Sequence, residues 1–401
     1  MAYDLYDPTG YIAGPPHEVF ARLRREEPVV WQDMPHEPGY WAVLRHADVV
    51  QVAREPVLFS AATGGVVLED LAPESLAMMQ DMLLAMDPPR HLAYRRNVSP
   101  EFAPRVMARL EGRIREICQT IFTDSGDREL DFVHDVCAKL PSQVVGELMG
   151  IPVEDWPKIH HWSEMNSGGQ DPDIAAAYAA DAAMGATVEM AMYAIELAGR
   201  RRAEPAEDLT TLVINSEVDG EAMTDIQFGS FFVQLVTAGN DTTRTMLSSG
   251  LLALLEHPSQ LAELRADPSL IPGAVEEILR YANPLHYFRR TATADTELGG
   301  AQIKAGDKVA MMYTSANRDE TVFVRPDEFD IHRDPNPHLS FGTGEHFCLG
   351  IHLARLEGRV FFEELLAYFP TLELTGTPKR QRSNLNNALK HLPMRLVTGS
   401  I

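Results

Sequence analysis

The chain has 401 residues, 45% of them hydrophobic and 23% charged, and its 58 acidic against 35 basic side chains leave a net charge of −23. That is the composition of a soluble globular protein. The negative balance, with no basic tail, argues against nucleic acid or an anionic membrane as the main partner, because phosphate binding needs clustered cations.

Met1 to Gly14 carries acidic and aromatic residues where a secretory signal would place cations and then an apolar run, so no export is expected. Apolar residues three and four apart predict helices in Val19–Arg24, Val106–Phe122, Val133–Met149 and Ala175–Leu197. Short alternating or β-branched segments predict strands at Val29–Trp31, Tyr40–Leu44, His286–Thr293 and Lys308–Met312. The expected class is mainly α with small β-sheets. With no repeat, Gly/Ser linker or low-complexity run, one domain over residues 1–401 is the simplest account.

Between Gly220 and Pro258, Thr224 and Gln227 form a capping box, and Pro258 would stop the helix begun there. About 32 residues at ~1.5 Å rise make a rod of roughly 48 Å, long enough to cross the domain. Its most apolar stretch, Ile226–Ala238, is interrupted by Gln227, Ser230 and Gln234, short of the roughly 20 apolar residues a membrane span needs. Gly229 and Gly239 lie inside the rod at a cost of about 1 kcal/mol each against alanine. Either a ligand or a neighbouring helix approaches closely there.

The strongest chemical signal is Phe341-Gly342-Thr343-Gly344-Glu345-His346-Phe347-Cys348-Leu349-Gly350, ahead of an amphipathic helix over Ile351–Tyr368. A cysteine behind a glycine-rich turn at a helix start is expected to hold its thiolate and to ligate a soft metal. The glycines leave room for a flat cofactor. Cys118 and Cys137 lack such a frame and read as buried structural thiols; three cysteines form no disulfide framework and suit a reducing cytoplasm. His346, Cys348 and His352 could suggest zinc, but their spacing does not match paired zinc ligands and a fourth is not evident.

The Phe341–Gly350 segment resembles the haem-ligand loop of the cytochromes P450, Phe-Gly-x-Gly-x-His/Arg-x-Cys-x-Gly, with every fixed position met. The resemblance implies haem b, with Cys348 as the proximal iron ligand and Phe341 and Gly342 against the cofactor. Glu277 and Arg280, which alone would read as a solvated i, i+3 pair, resemble the family's Glu-x-x-Arg, a buried structural brace. Ala238-Gly239-Asn240-Asp241-Thr242-Thr243 resembles the long-helix motif. There Ala238 and Gly239 leave space over the iron for dioxygen and substrate, and Asp241 and Thr242 relay protons. On residues alone, the Asp-Thr pair could equally bend the helix by bonding its own carbonyls. His91 and Arg95 match the family's His-x-x-x-Arg, and Arg290 and His346 the other usual partners of the haem propionates; the adjacent Arg289 leaves the choice between arginines open.

The implied protein is a soluble, cytoplasmic, bacterial-type monooxygenase in one triangular domain, its long helix crossing the haem. Electrons from NAD(P)H would come through a separate ferredoxin and ferredoxin reductase, since no flavin fingerprint or iron–sulfur cysteine set is present. Arg96, Arg105, Arg109 and Arg113 form either a cationic docking patch or the charged face of ordinary amphipathic helices. Family position puts Gln234, Thr237, Leu285, His286, Phe288 and Leu389 at the substrate pocket, roofed by the Met-rich segment Ser60–Met86. Similar bacterial members point to a terpenoid, steroid or alkyl chain as substrate. A haem-thiolate peroxygenase or a haem ligand-binding protein is the alternative, although peroxygenase relatives replace the acid and alcohol by Arg-Pro.

Overall fold

The computed structural model describes residues 3–167, 170–177, 182–218 and 221–398. Eight helices frame the site: α1 (Arg90–Val98), α2 (Glu111–Ser125), α3 (Lys139–Leu148), α4 (Trp156–Ser167), α5 (Ala182–Ala203), α6 (Asp225–Glu256), α7 (Ile271–Tyr281) and α8 (Ile351–Tyr368). Of the helix predicted over Ala175–Leu197, residues 178–181 lie outside the described residues.

The capping box sets the register of α6. Thr224 Oγ1 accepts the Gln227 N–H at 3.2 Å, and Gln227 Oε1 accepts the Thr224 N–H at 2.9 Å. Thirty-two residues later the helix ends at Glu256, two before Pro258. Helices α3, α4, α5, α7 and α8 all pack on it. Their apolar faces meet it through Phe228, Phe232, Val236, Leu247 and Leu251, all nearly inaccessible to solvent. Each such side chain contributes about 1.5–3 kcal/mol on burial. Close helix packing constrains two glycines of α6: a Cβ on Gly250 would sit 2.7 Å from Ile278 Cγ2 of α7, and one on Gly239 would sit 3.1 Å from Val145 Cγ2 of α3. At Gly229 a Cβ would make ordinary contact with Ala191.

A five-stranded sheet lies beside the helical body. In chain order its strands are β1 (Val29–Gln32), β2 (Tyr40–Val43), β3 (Phe59–Ser60), β4 (Tyr287–Ala292) and β5 (Lys308–Met312), and in space they run β1-β2-β5-β4-β3. Only β2 and β5 pair in parallel, Lys308 opposite Tyr40. Successive residues of a strand face opposite sides, so β4 sends Phe288 and Arg290 to a cavity shared with α6. Arg289 goes to the other side, where it meets Asp70 at 2.9 Å. The helix expected over Val133–Met149 divides into a π-helical turn at Val133–Cys137 and α3. Among the described residues no helix is long and apolar enough to cross a membrane.

Candidate active site

Between α6 and the loop before α8 lies a cavity with about 1640 Å³ of empty space, its mouth included. Ala238, Gly239 and Thr242 of α6 form one wall, and Phe341, Gly342, His346 and Cys348 the other. The loop is closed by the Cys348 N–H donating to the Phe341 carbonyl at 2.9 Å. Gly342 and Gly344 take φ of 65° and 72°. At Gly344 a Cβ would also stand 2.4 Å from the Ala53 carbonyl, so two separate constraints require glycine there.

The thiolate expectation needs correcting on one point. Burial pushes the Cys348 thiol up, and the Gly350 N–H with the charges of Arg95 and Arg355 only partly offset it. A helix start is therefore not sufficient to hold the anion; a cation facing the sulfur is needed. Cys118 and Cys137 are fully buried, and burial pushes both thiols up, as structural thiols require. His352 lies in a separate surface pocket with Glu276, Arg355 and Arg359, away from Cys348 in the cavity wall.

One edge of the cavity gathers His91, Arg95, Arg290 and His346. The His91 and His346 rings are 4.2 Å apart. His91 is wholly buried, yet neither ring nitrogen has a partner, and His346 Nε2 has none either. Burial and the neighbouring cations bring His91 down to about 4 and His346 down to about 2, so both are neutral near pH 7. Orphaned buried donors cost about 1–3 kcal/mol each, and groups of this kind beside Arg290 suit an anionic ligand edge. Arg95 spans to the cysteine loop, donating to the Glu345 carbonyl at 3.0 Å and to that of Phe347.

The acid and the alcohol of α6 face different ways. Thr242 lines the cavity, its hydroxyl donating to the Ala238 carbonyl at 2.6 Å. Thr237 and Asn240 make the same bond back to Val233 and Val236, at 2.8 and 2.7 Å. This local back-bonding draws carbonyls out of the helix ladder. Asp241 is absent from the cavity wall; its Oδ1 accepts from Ser163 Oγ at 2.8 Å and meets Arg244 at 3.3 Å.

Of the residues expected around a substrate, Gln234, Leu285 and Phe288 line the cavity and Thr237, His286 and Leu389 do not. His286 is a core residue: its Nδ1 meets Thr314 Oγ1 at 2.8 Å, its ring lies 4.6 Å from Tyr11, and burial brings it down to about 3. Leu389 is buried in a strand of its own. Leu83 and Leu84, within the Met-rich segment, reach the cavity; Met78, Met79 and Met82 do not. Sequence reasoning missed Phe231, Leu235 and Met246, which share the cavity face of α6 and were legible from helical spacing. It also missed Glu357, a carboxyl pushed up to about 8 by burial, with Oε2 unpartnered, for which no motif gives a signal.

The cytochrome P450 family model matches residues 186–396. The chain belongs to the cytochrome P450 family. It is 38% identical over 400 residues to the steroid C26-monooxygenase of Mycolicibacterium smegmatis, covering 97% of this chain and 92% of the relative. It is 40% identical over 387 residues to the methyl-branched lipid omega-hydroxylase of Mycobacterium tuberculosis, covering 94% and 90%. The fold superposes on that of a Mycobacterium marinum cytochrome P450 in complex with pseudoionone at a TM-score of 0.92, with 38% identity and 99% of each chain covered. This P450 is an oxidoreductase of the monooxygenase class. Its cofactor is haem, and it uses dioxygen with NAD(P)H-derived electrons that arrive through redox partners. The cavity fits a haem: a soft sulfur on one wall, small residues on the other, and unpartnered imidazoles with Arg290 for the acidic edge.

Proposed function

We propose that Cys348 ligates the haem iron, that His91, Arg95, Arg290 and His346 hold the propionates, and that Phe341, Gly342, Ala238 and Gly239 border the ring. What carries this reading is the cavity that brings Cys348 opposite Ala238, Gly239 and Thr242 with the orphaned His91 at its edge. Bound there, haem would supply activation of dioxygen and transfer of one oxygen atom into a C–H bond, the other leaving as water. The chain's own contribution is position and protons. Asp241 supplies protons and the Thr242 hydroxyl, the polar hydrogen beside the small Ala238-Gly239 step, passes them into the cavity. Thr242→Ala should keep consuming NADH while product per NADH falls roughly tenfold or more and hydrogen peroxide rises. Full coupling in that variant, measured as product against NADH consumed, would remove Thr242 from the relay.

The substrate we propose is a lipophile with a branched chain, oxidised near the chain end. Supporting this are the apolar walls, with Leu83, Leu84, Phe231, Leu235 and Leu285, and the names of the steroid C26 and methyl-branched lipid omega relatives. Among the described residues of the wall Gln234 is the one neutral amide, and its Oε1 is buried without a partner, placed to accept a hydrogen bond from a substrate hydroxyl. Optical titration of the ferric protein with steroids, methyl-branched lipids, terpenoids and small aromatics tests both parts, preceded by a ferrous–CO spectrum. A red-shifted thiolate band with a spin shift for the first two classes is expected; a spin shift for small aromatics alone would overturn the substrate class.

The electron donor we propose is a ferredoxin served by its reductase, with the protein acting as a single domain in the cytoplasm. Arg96, Arg105 and Arg109 are exposed on the segment that follows Arg95, which bonds the cysteine loop. Arg113 is engaged by Glu116 and Glu147, both at 3.2 Å, and adds less to such a patch. Reduction by an acidic ferredoxin should slow steeply as salt rises from about 0.01 to about 0.5 M, because screening shortens the reach of exposed charges. Stopped-flow rates that ignore ionic strength would exclude the patch.

A further inference from the structure

Adjacent residues on a helix point about 100° apart, and at Asp241 and Thr242 this puts the acid and the alcohol on different sides of α6. Thr242 faces the cavity. Asp241 faces a polar seam bounded by α6, α4, the π-helical turn Val133–Cys137 and the strand Leu389–His391. Within it Ser163 and Arg244 both meet Asp241 Oδ1, at 2.8 and 3.3 Å. The next residue of α4, Glu164, offers its Oε1 to two imidazoles: His134 Nδ1 at 3.0 Å and His160 Nε2 at 3.7 Å. His134 Nε2 lies 3.1 Å from the Lys390 carbonyl. Beyond it the His391 ring, 5.6 Å away, pairs with Asp131 at 2.6 Å.

Side-chain exposure falls along this line, from 39% at His134 through 22% at Glu164 to 12% at Asp241. Titratable groups thus line the seam from solvent to the far face of the cavity wall, in two bonded pairs, His134 with Glu164 and Ser163 with Asp241, whose carboxylates share Arg244 as a charged neighbour. A neutral imidazole has one N–H, so the His134 ring, with a carboxylate on one nitrogen and a carbonyl on the other, is fully bonded only with two protons. The hydrogen bond to Glu164, with the charges of Asp131 and Glu164, holds His134 above the ordinary imidazole value, against burial and Arg244. Burial, with Arg244, His134 and His161, holds His160 below it. One carboxylate oxygen thus stands between an imidazole held above its ordinary value and one held below it. Asp135 is a further charged neighbour, its carboxylate accepting the Asp131 N–H.

We infer that this seam is the route by which protons from solvent reach Asp241, with the His134–Glu164 pair as its outer station and the Ser163 hydroxyl as the inner one that hands the proton to the acid. The inference rests on the reading of Asp241 as the proton-delivery acid. In each passage His134 gives a proton from Nδ1 to Glu164 Oε1 and regains one from water. Ser163 gives its hydroxyl proton to Asp241 and takes another from a water in the seam, which Glu164 reprotonates. Asp241 then releases its proton toward Thr242. Only N–H and O–H bonds form and break, and the net change is one proton moved from solvent to the cavity.

The test compares Glu164→Gln and His134→Gln with Asp241→Asn, each as the haem-loaded full chain. Histidine ring NMR gives the readout that does not depend on turnover: His134 should titrate above 6.5 in the wild type and move down in Glu164→Gln. In turnover with a surrogate ferredoxin and reductase, product formation should fall roughly three- to tenfold in both variants. Because the outer station loses its proton as pH rises, the high-pH limb should move to lower pH in Glu164→Gln, a shift that a purely structural role would not produce. The near-isosteric glutamine keeps the fold, which haem content checks. A pH profile and solvent isotope effect equal to wild type in both variants, with Asp241→Asn uncoupled, would overturn the seam and leave the acid's role standing. Retained coupling in Asp241→Asn would overturn that role, and the seam with it.

Discussion

Cys348→Ser is expected to leave a folded chain that has lost the thiolate signature of its haem and its monooxygenase activity. The backbone of the loop does not depend on sulfur: the N–H of residue 348 closes it on the Phe341 carbonyl, and Gly342 and Gly344 supply the turn. The cost to the fold is one half-buried hydroxyl, about 1–3 kcal/mol where it finds no partner. The cost to the chemistry is total, because a buried serine hydroxyl carries no charge at any working pH, whereas a metal cation deprotonates a coordinating thiol outright. Burial alone pushes this thiol up, so its charge belongs to the metal-bound state. The ferrous–CO spectrum of the variant reads this directly. A red-shifted band that survives, with haem content unchanged, would remove Cys348 as the ligand.

How much of this was legible without coordinates depends on which physical rule placed each residue. Helix α6 was legible to the residue at its start because a capping box and a downstream proline are local signals, and α8 because a glycine-rich turn precedes a long amphipathic run. The choice between Arg289 and Arg290 was also available, since alternation along β4 puts Arg290 on the side of Phe288, but it needed to be known which side holds the cavity. Thr237, His286 and Leu389 were misplaced for the same kind of reason. Thr237 spends its hydroxyl on the Val233 carbonyl, and His286 turns to Thr314 and Tyr11, partners that only the folded chain brings near. The thiol of Cys348 was read from its helix start, a local effect, while the larger effect is burial, which is set only once the chain is folded. The seam of Ser163, Glu164 and His134 has no sequence signature, because its members come from three separate segments.

Arg280→Met is expected to destabilise the protein by about 3–5 kcal/mol, the usual cost of removing one partner of a fully buried ion pair. Both Arg280 and Glu277 are wholly inaccessible to solvent. Arginine carries five N–H donors, and here all five are used. Nε and Nη2 reach the Glu277 carboxylate at 2.8 and 2.7 Å, and Nη2 also reaches the Glu328 carbonyl at 2.9 Å. Nη1 takes the Asn317 and Pro326 carbonyls at 3.0 and 2.7 Å. Glu277 is likewise saturated, by Arg333, Asn336 and the Asp330 N–H at 3.0, 3.1 and 2.8 Å. The pair thus stitches the irregular 317–336 segment onto α7. From there the strain path to the active site is short: Asn317 accepts the Leu339 N–H at 2.7 Å and donates to Ser340 Oγ at 2.9 Å, and Phe341 is the next residue. Methionine fills much of the volume but leaves three carbonyls and a carboxylate without those donors. Lysine restores the charge but has three donors on one nitrogen, which cannot reproduce the planar fork, so Arg280→Lys should recover only part of the loss. Urea or thermal midpoints, read alongside haem retention, measure both effects, since a loosened 317–341 segment should release haem before the helices melt. A wild-type midpoint in Arg280→Met would mean that the network contributes specificity without net stability.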